Sequence, residues 1–190
     1  MDDSSEILNS FFSSDREINL QRPYRVMDVA NYVVERFAEQ EHPITNLLLL
    51  KMLYYLQAYS LVNNGERLFR ENIEKWGYGP VEPIVYSYFK SNGAAPILHS
   101  VEYAVINGDY LEIINPTGRN LERTDSSVIN DITEKLYRKY HENPFDLVNI
   151  THEEPMWKKD EKKIVDGVHN LQYSDEEIVD YFGSRDKWPW

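Results

Sequence analysis

The stretch of this chain richest in chemical groups is His152-Glu153-Glu154, one imidazole beside two carboxylates. Such a set suits general acid–base work or metal binding. A helical zinc motif needs a second histidine four residues after the first, and position 156 is Met. His42, His99, His141 and His169 fall at predicted loops or helix ends, without ligand spacing. The serines lack a Gly-x-Ser-x-Gly elbow, and a chain with no cysteine has no thiol nucleophile. Gly77-Tyr78-Gly79-Pro80 is too short and too aromatic to cradle a phosphate, and no lysine follows it. The residues therefore predict no enzyme, no metal and no cofactor. A metal-dependent enzyme centred on His152 is the weakest of the alternatives.

Positioning these groups falls to a helix that is apolar almost all round. Thr45 is a good N-cap, and Leu47 to Leu50, Met52, Leu53, Tyr54, Tyr55 and Leu56 follow. A helix with no polar face must be buried on every side, so a central helix is predicted over about 45–62, ended by Asn63-Asn64-Gly65. Lys51 and Gln57 are its polar exceptions and need partners. The Gly79-Pro80 corner or the Thr151-His152 segment are the natural partners for Gln57. Trp76 reads equally as a core residue or as an interface anchor, and Thr151-His152 as a structural cap.

Around this centre, spacing predicts a helix over about 28–40, and Pro80 opening another over about 81–92. An antiparallel β-hairpin turning at Asn107-Gly108 lies within about 97–114, followed by a helix over about 126–140. A short helix runs from Asn143-Pro144 to near Ile150, and a last one is opened by Ser174 and Glu177 at capping-box spacing. The fold class is α+β, mainly α: a compact bundle around a buried central helix with a small hairpin. Residues 1–23 read as a flexible arm, 24–183 as one globular domain, and 184–190 as a tail whose Trp-Pro-Trp is either docked or sticky.

The net charge of −12 repels phosphate backbones and argues against nucleic acid as a partner. Fourteen tyrosines and four tryptophans supply amphipathic surface of the kind that proteins use to meet proteins. The longest apolar run is far short of the ~20 residues that cross a bilayer. With no cysteine and no signal-peptide pattern, a cytoplasmic protein without a membrane partner is expected.

Four ordered blocks resemble the Panacea domain, a family of SocA-type antitoxins and phage-associated proteins. They are Val29-Ala30-Asn31-Tyr32, Thr45 through Gln57, Leu68-Phe69 with Glu74-Lys75-Trp76-Gly77-Tyr78-Gly79-Pro80-Val81, and Thr151-His152 with Pro155 and Trp157. The chain departs from the pattern at Leu48, Leu50, Ala58 and Met156. The resemblance implies an antitoxin that neutralises a cognate toxin, encoded by an adjacent gene, through direct contact. Some relatives are proteolytic adaptors that deliver the toxin to an AAA+ protease. A phage or prophage adaptor acting on host proteins is the alternative. The residues it marks as structural or partner-binding are Thr45, Lys51, Leu53, Tyr54, Gln57, Trp76, Tyr78, Gly79, Pro80, Thr151, His152 and Trp157.

Overall fold

The computed structural model describes residues 18–117 and 119–190. The expected N-terminal arm lies outside them up to residue 17. Strand β1 (Ile18–Asn19) pairs in parallel with β8 (Arg119–Asn120). Helix α1 (Val26–Glu39) follows, with Val26, Val29, Ala30, Val33 and Phe37 spaced to bury one stripe. Its first-turn Asp28 is buried, and accepts from Arg119 at 2.7 Å and from the Tyr103 hydroxyl at 2.6 Å. These bonds satisfy a carboxylate that burial would otherwise leave costly.

Strand β2 (Ile44–Thr45) leads directly into helix α2 (Asn46–Asn64). The Thr45 hydroxyl caps the Leu48 amide at 3.3 Å, and Gly65, at φ 72°, closes the helix. The expected near-total burial is found: Leu48, Leu49, Met52, Leu53, Tyr54, Tyr55 and Ala58 are all sequestered from solvent. Each large apolar side chain so buried stabilises the fold by ~1.5–3 kcal/mol relative to exposure.

The chain then forms a tight antiparallel pair, β3 (Glu74–Trp76) and β4 (Gly79–Val81). This corrects the expected helix start at Pro80. The helix, α3, spans Pro83–Phe89, and its first proline is Pro83. The buried Glu82 carboxylate caps it, accepting from Ile84 N at 3.2 Å and Val85 N at 2.7 Å. Two prolines satisfied the rule for a first helical position, but only Pro83 follows a capping side chain. Strand β5 (Pro96–Ile97) returns to β2, so the predicted hairpin is confined to β6 (Tyr103–Asn107) and β7 (Tyr110–Ile114).

Helix α4 (Arg123–Tyr140) and helix α5 (Phe145–Glu153) follow, then the short α6 (Pro155–Lys158) and α7 (Glu161–Val165). Helix α8 (Asp175–Phe182) carries the expected capping box between Ser174 and Glu177. Helices α1, α3, α4 and α8 all pack on α2, with β4 beside them. The C-terminal Trp-Pro-Trp is docked: the Pro189 carbonyl accepts from Tyr140 at 2.6 Å, and Trp188 and Trp190 stack on each other at 5.0 Å against Phe182 and Tyr55. No helix among the described residues is long and apolar enough to cross a membrane.

A candidate partner-binding cleft

The signature residues meet where α2 passes beneath the β3–β4 turn. Lys51 projects from α2 with no solvent exposure, and its ammonium donates to the carbonyls of Tyr78 and Pro80, the latter at 3.1 Å. Burial pushes the Lys51 ammonium down to about 7, against an opposing pull from Glu154. Gly79 lies between these two acceptors at φ 86°, a conformation that suits glycine. A Cβ there would sit 2.9 Å from the Lys51 ammonium and clash with the Thr151 hydroxyl. Thr151, on α5, is fully buried and bonds the Val148 carbonyl at 3.0 Å. The turn is thus clamped between α2 and α5.

Gln57 acts six residues further along α2, but on a different segment from the expected ones. It donates to the Phe69 carbonyl at 2.9 Å and accepts from the Leu68 and Phe69 amides at 2.9 and 3.1 Å. Lys51, rather than Gln57, holds the Gly79-Pro80 corner. Lys51 and Gln57 thus each supply hydrogen bonds to backbone groups that lack a secondary-structure partner.

His152, Glu153 and Glu154 diverge. Glu153 is exposed and pairs with Lys158 at 2.5 Å. His152 stacks on Trp157, centroids 3.8 Å apart, and burial, then the Lys51 charge, hold its imidazole below the ordinary range. Glu154 is fully buried and accepts from the Tyr54 hydroxyl at 2.5 Å. Burial raises the Glu154 carboxyl to about 8, opposed by the Tyr54 bond and by Lys51. Among the described residues, no three histidines, cysteines or carboxylates are grouped to hold a metal ion. The buried polar groups here tie α2, α5 and the β3–β4 turn together.

Above the clamp lies an open, mainly apolar cleft of about 820 Å³. Leu47 and Leu50 of α2 form part of its lining, with Trp76, Val81 and Tyr86 on the β3–β4 and α3 side. Tyr78 and Phe145 stand at the rim, 64% and 51% exposed, packed edge to face at 5.8 Å. Trp76 is half-buried, meets Tyr86 at 5.0 Å, and donates to Glu74 at 2.8 Å. Its carbonyl accepts from the Trp157 indole at 3.0 Å, which fixes the strand from below. Asn46 is buried in the lining, and its Oδ1 has no hydrogen-bond partner among the described residues. Two exposed aromatics and an apolar floor form a surface suited to a protein side chain.

The twelve signature residues therefore divide in two. Lys51, Leu53, Tyr54, Gln57, Gly79, Pro80, Thr151, His152 and Trp157 shape and support the turn or the core. Thr45, Trp76 and Tyr78 line the cleft. Sequence reasoning missed Asn46, Tyr86 and Phe145. Phe145, an aromatic directly after the helix-opening Asn143-Pro144, carried the one available signal.

Residues 49–158 match the family described as Antitoxin SocA-like, Panacea domain. The chain is also similar to Antitoxin SocA of Caulobacter vibrioides (strain NA1000 / CB15N), at 32% identity over 94 residues, 49% of this chain and 50% of that protein. The similar segment thus spans about half the length of that relative. No solved structure matches.

Proposed function

This chain belongs to the SocA-like antitoxin family with the Panacea domain, and we propose that it neutralises a cognate toxin by direct protein–protein contact at the cleft rimmed by Tyr78 and Phe145. The observation that carries the reading is the pairing of exposed rim aromatics with an apolar floor, held by a turn that Lys51 and Thr151 lock in place. A rigid surface loses little entropy when it binds. The partner inserts an apolar side chain beside the rim aromatics, against the floor that Leu47 and Leu50 help to form. The toxin is encoded by an adjacent gene, both proteins are cytoplasmic, and the antitoxin acts by binding rather than by catalysis.

Expressing each flanking gene alone, and then together with this chain, tests the proposal. One neighbour should arrest growth by itself, be relieved by co-expression, and co-purify with this protein. Two harmless neighbours, or arrest that co-expression leaves intact, would remove it. Repeating the rescue in a host lacking its AAA+ proteases separates sequestration, which persists, from an adaptor role, which is lost.

A further inference from the structure

The β6–β7 hairpin presents its apolar side to water. Pairing places Ala104 opposite Ile113 and Ile106 opposite Leu111 on one face, and Ile106, Leu111 and Ile113 are 84%, 70% and 57% exposed. The opposite face holds Tyr103 and Ile114, both buried. A two-stranded ribbon with apolar residues on both faces has one face too many for a soluble surface. Its edges differ as well. The Ala104 amide donates outward to the Tyr88 hydroxyl at 2.8 Å, so α3 guards β6. By the alternation of an antiparallel ladder, Leu111 and Ile113 then point their amides and carbonyls away from β6. Among the described residues these groups bond to no other element. The open edge of β7 and the exposed apolar face therefore belong to the same two residues.

We infer that this edge is a second contact for the toxin, which adds an extended segment alternating apolar residues with Lys or Arg to β7; the inference rests on the antitoxin reading above. Charge selects the occupant. Between Glu102 and Thr117 the chain has Glu102, Asp109 and Glu112, all exposed, and no lysine or arginine. A cationic strand is attracted to that rim, and strand addition supplies backbone bonds while Leu111 and Ile113 supply apolar contact. A second copy of this chain fits poorly. Two chains of net charge −12 repel, and four side chains fall far short of the roughly 20–30 residues a side of a stable interface. Residues 1–17 hold five carboxylates against Arg16, so the chain's own N-terminal segment is repelled too.

The test uses the full-length protein and, as probe, the purified product of the flanking gene that arrests growth. In the complex, hydrogen exchange at the Leu111 and Ile113 amides should slow by at least ~10-fold. The double substitution Leu111→Lys, Ile113→Lys should weaken binding by at least ~10-fold while leaving the protein's melting temperature near its original value, since both positions face solvent. Ile113→Pro, which removes only an outward amide, should do the same. Full-strength binding by these variants, without amide protection, overturns the inference and leaves the antitoxin reading standing. Absence of any binding by the unmodified protein overturns both. A dimer that becomes monomeric on Leu111→Lys would identify a second copy as the occupant and also overturn it. So would faster exchange at Leu111 and Ile113 on deleting residues 1–17 with no toxin present.

Discussion

The Lys51 ammonium donates to the Pro80 carbonyl at 3.1 Å from a position with no solvent exposure, so the turn carrying Tyr78 is fastened to the middle of the molecule. A buried lysine is normally a liability. Here it serves carbonyls that the β3–β4 pair leaves without strand partners, and the cleft above inherits the rigidity.

Lys51→Met keeps most of the unbranched side chain, one heavy atom shorter, but removes the donor. Leaving a buried carbonyl without a partner costs ~1–3 kcal/mol, so urea denaturation should show a loss of about that size. Hydrogen exchange at Trp76 to Val81 should speed up by more than the global loss explains. An unchanged denaturation midpoint would contradict the clamp.

Gly79→Ala combines a positive φ of 86° with a Cβ 2.9 Å from the Lys51 ammonium. Backbone strain alone costs ~1–3 kcal/mol, and the clash adds to it. A clear fall in thermal midpoint is expected. Gly65→Ala, at φ 72° with nothing within 4 Å of the added Cβ, should cost less.

Gln57→Leu leaves the Leu68 and Phe69 amides and the Phe69 carbonyl without their side-chain partner. Unmade buried hydrogen bonds cost ~1–3 kcal/mol each, so losing all three should destabilise by ~3 kcal/mol or more in denaturant. A neutral or stabilising result would mean that the Leu68-Phe69 segment finds other partners.

Glu82 is buried, and burial raises its carboxyl from 4.5 to about 7 against two opposing backbone bonds. An acid whose folded value is raised holds more protons when folded than when unfolded. Its contribution is therefore present in full below about 4.5 and is lost as pH rises through 7. Glu82→Gln removes that titration. Relative to the variant, the unmodified protein should lose ~3 kcal/mol of stability between pH 4.5 and 8, read from paired denaturation curves. A constant difference across that range would contradict the assignment.

Much of the frame was legible in the sequence because local rules decided it. The apolar run from Leu47 to Leu56 could only be a buried helix, Asn107-Gly108 marked the hairpin although its turn falls one residue later at Gly108-Asp109, and Ser174 with Glu177 announced the last helix. The start of α3 was misplaced because Pro80 and Pro83 both satisfy the same local rule, and the deciding pairing of β4 with β3 is tertiary. Lys51 and Gln57 were visible as exceptions, but not their targets, which are main-chain groups with no side-chain signature, up to 29 residues away for Lys51. The cleft was the least legible part. Its rim pairs Tyr78 with Phe145, which only the packing of α5 against β4 brings together.

The most direct test of the account is titration of the toxin against the purified protein and its Tyr78→Asp, Phe145→Asp double variant. Both positions are exposed, so the variant should fold and melt like the parent. Truncating or charging a hot-spot pair typically costs 2 kcal/mol or more, so binding should weaken by at least ~30-fold and growth rescue should be lost. A folded double variant that binds and rescues as well as the parent would contradict the claim that the toxin is held at this cleft.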